Sequence, residues 1–386
     1  MVLMRLLALG GPSVTSKVVL GCPATRHERA RQRRSRVPST VMNPAASTGS
    51  PADHGFRMPP ETAPHERTLM AWPCRRELWG SELAAAQRDY AEVANAVAAF
   101  EPVTMVVPDE AAAGGARALL AGGVDLVELP IDDSWMRDSG PIFALDMAGR
   151  RAGVHFRFNA WGEKFAGWER DEAAGGVLAG LYGDVAFEAP LVLEGGSILV
   201  DERGHLVTTE QCLLAPNRNP ELDRSAIEDA LRSYLGVTGV VWLGRGLVDD
   251  RDTDGHVDGI ATFNDAGQLL LQSRPPGDPD YETMAENRER AIAGGLDVVT
   301  FPPLAYGEVA DTPVPNAYLN LALCNGGVIV PLAGGASADT DEEALQHLTA
   351  AFPGRAVVGV PGLVIAYGGG GPHCITQQVP ARVGTR

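Results

Sequence analysis

The sequence lacks any apolar run that approaches the roughly 20 residues needed to span a bilayer, so a membrane-spanning helix is not expected. It also lacks a CxxC motif, and its cysteines are odd in number and widely spaced. This pattern argues against a disulfide framework or a structural zinc site and favours a reducing compartment. The five cysteines are Cys22, Cys74, Cys212, Cys324 and Cys374.

Basic residues are scarce in most of the chain. The net charge is −17, but residues 1–50 hold eight Lys or Arg and one acid, a net +7 that leaves −24 on residues 51–386. An acidic body disfavours nucleic acid, whose phosphates require cationic partners. It is compatible with a small cationic ligand, although acidity also serves solubility alone.

Residues 1–55 differ in composition from the rest. ATRHERARQRRSRVPST is a basic run, and NPAASTGSPADHG is rich in Pro, Ser, Gly and Ala. Neither has apolar periodicity, so we expect a disordered N-terminal extension over 1–55 and a single folded domain over 56–386. The apolar start is interrupted too soon for a signal peptide. We therefore expect a cytoplasmic protein, and we interpret Met42 as close to the true start of translation.

Short strand-like runs alternate with helical stretches from residue 56 onward. Helices are predicted over 81–100, 225–235 and 339–352, strands over 102–108, 326–333 and 355–360, and hairpins over 191–214 and 261–273. Ser81 is the expected N-cap of the first helix. The units are spread evenly, which predicts one α/β domain. The pattern does not distinguish an open sheet from a closed ring of units.

Cys374 stands out among the cysteines because a glycine run precedes it. Gly368–Gly371 costs conformational entropy and packs nothing, which makes sense where backbone passes close to a ligand. A cysteine after such a loop is a candidate nucleophile, provided that a base or nearby cations stabilise its thiolate. The commoner role of a lone cysteine is structural, and we assign that role to Cys74, Cys212 and Cys324.

Three further clusters carry polar residues at predicted strand ends, where α/β domains build their sites. In DTDGHVDG, His256 and Asp258 would point to the same side of a strand, and histidine is the natural proton carrier near neutral pH. Asp138 in WMRDSGP is either a site carboxylate or a turn residue. Glu194 in LVLEGGS lies in an apolar run, where a carboxylate needs a partner.

The acidic stretch VDDRDTDGHVDGI also fits the first half of a calcium-binding loop. Asp250, Asp252 and Asp254 followed by Gly255 match D-x-D-x-D-G. The twelfth position of such a loop should be Glu, yet it is Ala261, and HVDGIATF resembles a strand rather than an exiting helix. A calcium-binding module is therefore the weaker hypothesis.

The chain from about Met58 to Pro380 resembles the agmatine deiminases, within the bacterial-type peptidylarginine deiminases of the guanidino-modifying superfamily. Segments that carry the resemblance occur in the family's order over nearly the whole folded part. They are MPPETAPHERTLMAWP, WMRDSGPIF, FNAWGEKF, LEGGSILVDERGHLVTTEQCLL, NRNP, TDGHVDG, NGGVIVP and GGGGPHCITQQVP.

The resemblance implies a pentein fold, a five-bladed β/α-propeller of pseudo-fivefold ββαβ repeats, over a single deiminase domain. It implies cofactor-free and metal-free hydrolysis of agmatine to N-carbamoylputrescine and ammonia through a covalent amidino-cysteine, as in polyamine biosynthesis. The implied roles are as follows: Cys374 is the nucleophile, His256 the acid and base, Asp138 and Asp258 grip the guanidinium, Glu194 orients His256, and Trp135 and Gly371 lie beside the substrate.

The sequence departs from the commonest family pattern at Gly371-Pro372, Gly259 and Thr262, which leaves fine substrate preference open. A peptidylarginine or free-arginine deiminase is the first alternative; no segment for protein substrates is evident. A papain-like protease fits less well, because its cysteine usually lies near the mature N-terminus. A degenerate, inactive homologue and a homo-oligomeric state also stay open.

Overall fold

The computed structural model describes residues 19–20, 34–36 and 49–382. Its strands are β1 (Val19–Leu20), β2 (Arg34–Arg36), β3 (His65–Ala71), β4 (Val103–Val107), β5 (Val124–Glu128), β6 (Ile142–Leu145), β7 (Arg151–Arg157), β8 (Val185–Val192), β9 (Leu199–Val200), β10 (His205–Thr209), β11 (Gly239–Leu243), β12 (Ala261–Phe263), β13 (Leu269–Gln272), β14 (Val298–Phe301), β15 (Ala305–Val309), β16 (Thr312–Asn316), β17 (Ala322–Cys324), β18 (Gly327–Leu332), β19 (Ala356–Pro361) and β20 (Thr376–Pro380).

The helices alternate with these strands, as an α/β fold requires. They are α1 (Arg76–Trp79), α2 (Leu83–Ala98), α3 (Glu110–Leu119), α4 (Met136–Ser139), α5 (Ala160–Glu163), α6 (Glu169–Tyr182), α7 (Glu210–Leu213), α8 (Arg224–Leu235), α9 (Tyr281–Ala293), α10 (Ala338–Ala351) and α11 (Leu363–Tyr367). No helix in the described part is both long and apolar enough to cross a membrane.

Five sheets of the described chain share one pairing pattern. In each, a first strand pairs antiparallel with a second, and the second pairs parallel with a third. The triplets are β6–β7–β8, β9–β10–β11, β12–β13–β14, β17–β18–β19 and β20–β3–β4. A helix connects the parallel pair in each case, from the second strand to the third. The strands β15 and β16 form a separate hairpin.

Apolar clusters lie between these sheets and their helices. The largest joins α2 to β4 and includes Trp72, Trp79, Tyr90 and Trp135, all of them buried. Helix α2 forms because its alanine-rich sequence favours helix and places Tyr90, Val93 and Val97 on one buried face. This cluster also contains Cys374, so the packing that stabilises the fold holds the candidate nucleophile.

Most predicted elements are present, with four corrections. The hairpin strand predicted over 205–214 ends at Thr209, because residues 210–213 form α7. The predicted strand 191–200 is broken, because β8 ends at Val192 and a 3-10 turn at Gly195–Ser197 precedes β9. The predicted N-cap Ser81 is wrong, because a 3-10 turn at Gly80–Glu82 leads into α2. His256 and Asp258 do not lie on a strand: His256 precedes the 3-10 turn Val257–Gly259, which contains Asp258.

The N-terminal extension expected over 1–55 lies mostly outside the described residues, as does the expected start near Met42. Within it, β1 pairs parallel with β19 and β2 pairs parallel with β5. A 3-10 turn spans Ala52–His54, and the following Phe56 is fully buried. The expectation of irregular chain is therefore wrong for these described pieces, and ordered structure begins before residue 56.

Candidate active site

The five residues with predicted catalytic roles converge from four different sheets. Asp138 lies in α4, just before β6, and Glu194 follows β8, just before β9. His256 and Asp258 precede β12, and Cys374 precedes β20. Each therefore lies in the segment that enters the first strand of a sheet. All five are nearly or completely excluded from solvent.

Close contacts join four of these side chains around one point. The Cys374 thiol donates to Asp258 Oδ2 over 3.3 Å. His256 Nδ1 lies 3.8 Å from Asp138 Oδ1 and 4.0 Å from Asp258 Oδ1. Neither imidazole nitrogen of His256 has a hydrogen-bond partner. The arrangement holds a thiol, two carboxylates and an imidazole ready for a ligand.

The crowding around Gly196 explains the second glycine of LEGGS. A Cβ atom at Gly196 would lie 2.7 Å from His256 Nδ1 and 2.8 Å from both Asp138 Oδ1 and Asp258 Oδ2. Contacts this short are prohibitive, so only glycine allows the three groups to meet. The Gly196 amide also donates to Asp138 Oδ1 over 2.9 Å. Glu194 of this motif was predicted as a site residue, whereas Gly196 was not.

Asp138 is positioned from its other side by Trp161. The indole Nε1 of Trp161 donates to Asp138 Oδ2 over 2.9 Å. Trp161 lies in α5, where residues 160–163 all have positive φ, from 52° to 87°. A left-handed turn of mostly non-glycine residues is costly and indicates a functional constraint.

The surroundings of Asp138 disfavour its ionised form. Burial raises the pKa of this carboxyl to about 6, and the nearby charges of Asp258 and Glu194 act in the same direction. A positive His256 opposes the shift. A cationic ligand between the two aspartates would relieve this repulsion, so the site favours a positive charge.

Asp258 belongs to a buried chain of charges that the sequence analysis missed. His373 Nδ1 donates to Asp258 Oδ2 over 2.8 Å, and its Nε2 donates to Glu61 Oε1 over 2.9 Å. Arg137 binds the same Glu61 oxygen over 3.0 Å. His373 is thus held between two carboxylates and fixes the orientation of Asp258.

The pKa shifts of Glu61, His373 and Asp258 agree with a charged His373 imidazole. Burial and Arg137 work to lower the pKa of His373, but Glu61 and Asp258 outweigh them and raise it. Burial would raise the pKa of Glu61, yet Arg137 and His373 bring it down to about 2. Burial likewise opposes ionisation of Asp258, but the hydrogen bond and charge of His373 lower its pKa. Asp258 therefore ionises more readily than Asp138.

Asn320 contacts Cys374 directly. Its Nδ2 donates to Cys374 Sγ over 3.1 Å, and its Oδ1 accepts the Cys374 amide over 3.3 Å. Burial raises the pKa of the Cys374 thiol well above its usual range, and the charges of Asp258 and Asp138 raise it further. The Gly371 amide and the Asn320 side chain oppose that rise.

The glycine run before Cys374 allows close approach to neighbouring side chains. A Cβ atom at Gly370 would lie 2.8 Å from Cys374 Sγ and 2.7 Å from the Trp135 ring. At Gly371 it would lie 2.7 Å from Asn320 Oδ1. The Gly371 amide is directed at the Cys374 thiol, and the position of Gly371 beside the substrate stays a prediction. Trp135 stacks on Trp79 with a centroid distance of 6.1 Å.

Glu194 is not hydrogen-bonded to His256, the residue that it was predicted to orient. Its Oε2 lies 3.9 Å from His256 Nε2 and has no hydrogen-bond partner. Its Oε1 instead accepts from Arg218 Nε over 2.8 Å. Arg218 also binds Asp254 and the Thr253 carbonyl, so it ties Glu194 to the loop that carries His256.

The acidic loop 248–260 uses its carboxylates internally. Asp250 accepts from the amides of Thr253, Gly255 and His256. Asp254, at φ 63°, accepts from Lys164, as well as from Asn217 and Arg218. These carboxylates bind amides and cations of the protein, which does not fit a calcium loop.

Two hollows meet at Cys374. The larger, about 110 Å³, is lined by His256, Asp258 and Asn320, together with Asp249, Asp250 and Asp252. The smaller, about 20 Å³, lies against Asp138, Trp135 and Trp161. Asp252 lines both, and burial raises its pKa, with the charge of Asp250 acting in the same direction.

Residues 57–380 match the sequence profile of the Porphyromonas-type peptidyl-arginine deiminases. The chain belongs to this family. It is 39% identical to the agmatine deiminase of Stutzerimonas stutzeri over 364 residues, which cover 86% of this chain and 98% of that protein.

Solved structures of deiminases resemble the fold. An agmatine deiminase of Enterococcus faecalis is 33% identical, with a TM-score of 0.81 over 88% of this chain and all of that one. A cysteine-to-serine variant of the C. jejuni agmatine deiminase with substrate bound is 26% identical, with a TM-score of 0.77 over 85% of this chain and 97% of that one.

The site residues that sequence reasoning missed lie inside the segments that carry the family resemblance, except for Asn320, which precedes NGGVIVP by five residues. They are Glu61, Arg137, Trp161, Gly196, Arg218, Asn320 and His373. Nothing in a single sequence says which carboxylate or thiol each one meets. An Arg or His inside a Gly- or Pro-rich motif was the available signal.

Proposed function

We propose that this deiminase hydrolyses agmatine to N-carbamoylputrescine and ammonia. The observation that carries the proposal is the convergence of Cys374, His256, Asp138 and Asp258 around the space above Gly196. A guanidinium is planar and presents forked N–H donors that match paired carboxylates. A buried thiol beside that pair can reach the central carbon of the bound group.

The chemistry proceeds in two halves. The Cys374 thiolate attacks the guanidinium carbon, His256 protonates the departing nitrogen, and ammonia leaves a covalent amidino-cysteine. The neutral imidazole then takes a proton from water, which attacks the same carbon and releases the thiolate and the urea product. The positive substrate supports the first half, because it opposes the carboxylates that raise the pKa of the thiol.

The distal end of the cavity supports agmatine over arginine. Agmatine ends in an ammonium group, and Asp249, Asp250 and Asp252 line the larger hollow. Free arginine would place a carboxylate near the same acids, although Arg251 also borders the hollow. Burial of the reacting groups favours a small free substrate over an arginine held in a folded protein.

The architecture that we propose is a single deiminase domain, from about residue 56 onward, built as a five-bladed β/α-propeller. The five strand triplets with a common pairing pattern support it. So does the family match, which runs unbroken from residue 57 to 380. Catalytic groups that all enter from the first strand of a triplet would then face a common axis.

Acid-quenched turnover tests the mechanism. Wild-type protein mixed with agmatine should carry an added mass of agmatine less ammonia on the peptide that contains Cys374. The variant Cys374→Ala should release no ammonia while it still binds agmatine in calorimetry, and Cys324→Ala should behave as wild type. Turnover by Cys374→Ala near the wild-type rate would refute the nucleophile.

Substrate choice needs a separate assay. Ammonia release should be fastest from agmatine, slower from arginine and slowest from a blocked arginine peptide. Asp252→Asn should raise KM for agmatine and narrow its advantage over arginine, since the lost charge faces the ammonium end. Equal or faster turnover of the peptide would make peptidylarginine the substrate class instead.

A further inference from the structure

On the Nε2 side of His256 lies a cluster of buried donor atoms, two of which, from Glu194 and Cys212, take no part in the proposed deimination steps. Glu194, Cys212 and His256 each offer one donor atom, and these three atoms lie within 4.8 Å of one another. The three residues have exposed fractions of 0%, 0% and 2%. Cys212 lies in α7, directly after β10, and takes no part in gripping a guanidinium.

Two donor atoms in this cluster have no hydrogen-bond partner. They are Glu194 Oε2 and His256 Nε2, which face each other over 3.9 Å. A buried polar atom without a partner is costly, so a native protein that keeps two of them side by side invites a ligand between them. Arg218 occupies only the other carboxylate oxygen, Oε1, and leaves Oε2 free.

We propose that Glu194, Cys212 and His256 bind a thiophilic divalent cation of the Zn²⁺ class, and that this cation silences the enzyme. Thiolate, imidazole and carboxylate form a donor set typical of Zn²⁺. Tetrahedral Zn²⁺ with bonds of about 2.1 Å places its nitrogen and oxygen ligands about 3.4 Å apart. The pair at 3.9 Å therefore needs to close by only a fraction of an ångström.

Binding exchanges a proton for the cation. The Cys212 thiol loses its proton to solvent, its sulfur bonds to the metal, and Glu194 Oε2 and His256 Nε2 each donate a lone pair. His256 borders the larger hollow, so a cation from solvent reaches the cluster past this ring. A water molecule completes the fourth position.

The cation blocks proton transfer rather than substrate contact. His256 Nδ1 faces Asp138 and Asp258, on the side where the guanidinium binds, while Nε2 faces the cluster. With metal on Nε2, loss of the Nδ1 proton would create a metal-bound imidazolate, so His256 no longer serves as the acid for departing ammonia. The nucleophile Cys374 stays outside the metal site.

Cobalt binding tests the site without any need for activity. Co²⁺ added to metal-free wild-type protein should give one equivalent of tetrahedral Co²⁺ with a thiolate-to-cobalt absorption band. Cys374→Ala and the buried-cysteine control Cys324→Ala should keep this band, and Cys212→Ala should lose it. Absence of the band in wild type, its survival in Cys212→Ala, or its loss in Cys374→Ala would overturn the proposal.

Inhibition tests the consequence. Zn²⁺ should inhibit ammonia release by wild type and by Cys324→Ala, and a chelator should restore it. Cys212→Ala should turn over normally and require at least ten times more Zn²⁺ for the same inhibition. Cys212→Ser guards against a packing defect and should match Cys212→Ala. Equal sensitivity of wild type and both Cys212 variants to Zn²⁺ would refute the silencing role. The cobalt band reports on metal binding even if agmatine is not the substrate.

Discussion

Removal of the Asn320 amide should lower the thiolate population of Cys374. In the variant Asn320→Leu, the donor that lies 3.1 Å from Sγ and the acceptor of the Cys374 amide are both lost, while the branched shape of the side chain is kept. A hydrogen bond to a charged group contributes about 1.5–3 kcal/mol, and a factor of ten in an equilibrium corresponds to about 1.4 kcal/mol. At a fixed pH below the pKa of the thiol, the thiolate population should therefore fall roughly 10- to 150-fold.

Alkylation of the free enzyme measures this population. Inactivation by iodoacetamide, followed across pH, should be slower for Asn320→Leu by that factor, and ammonia release should fall in parallel. Asn320→Asp should react more slowly still, since it adds a third carboxylate beside the thiol. Asn316→Leu is the matched control: Asn316 is buried and lines the same hollow, but its amide donates to the Pro331 carbonyl. Wild-type alkylation in Asn320→Leu, or an equal loss in Asn316→Leu, would refute the reasoning.

Three further changes probe the carboxylate side of the site. Gly196→Ala should lower kcat/KM by about 100-fold or more, since its Cβ would displace three site groups. Gly259→Ala is the control, because open space surrounds Gly259, and its kcat/KM should be close to that of wild type. The kcat/KM of wild type should fall as the pH drops through about 6, where Asp138 loses its charge. Trp161→Phe should move this acid limb to higher pH, because it removes a hydrogen bond that lowers the pKa of Asp138. Charged His373 stabilises the fold fully below the ordinary pKa of histidine, and this stabilisation is lost as the pH rises through the raised pKa of His373. The melting temperature of His373→Gln should therefore depend less on alkaline pH than the melting temperature of wild type. An unshifted acid limb or an identical alkaline melting profile would contradict the corresponding prediction.

Local pattern predicts the helices and simple hairpins of this chain well. Helix α8 begins after Asp223, whose side chain accepts the Ala226 amide, and ends at Gly236 in the left-handed region. Both signals are local, so the sequence contains them. The hairpin of β12 and β13 likewise turns at residues 264–267, as the Asn and Gly there indicate.

The prediction fails where tertiary contacts override local preference. The run LVLEGGSILV is apolar enough for a continuous strand, yet it breaks at Glu194. The carboxylate of Glu194 bonds to Arg218, which is 24 residues away, and Gly196 must pass beneath His256 and Asp138. Those partners are distant in the sequence, so no window of local sequence reveals the break.

The site itself follows a rule that the repeating sheets impose. In the described chain, each of the five strand triplets is entered by a segment with a polar residue two to five positions before its first strand. Four of these residues are Asp138, Glu194, Asp258 and Cys374. Sequence reasoning found them because carboxylates and thiols carry recognisable chemistry.

The fifth triplet supplies Asn320, two residues before β17. A neutral amide in LNLALC gives no chemical signal by itself, so motif reasoning passed over it. Its position in the repeat is nevertheless equivalent, and its amide nitrogen lies 3.1 Å from the thiol. If the five entering segments form the site together, a charge-neutral donor is what the fifth must provide. The other four already place the carboxylates of Asp138 and Asp258 beside one thiol, and a further negative charge would suppress the thiolate on which the reaction depends.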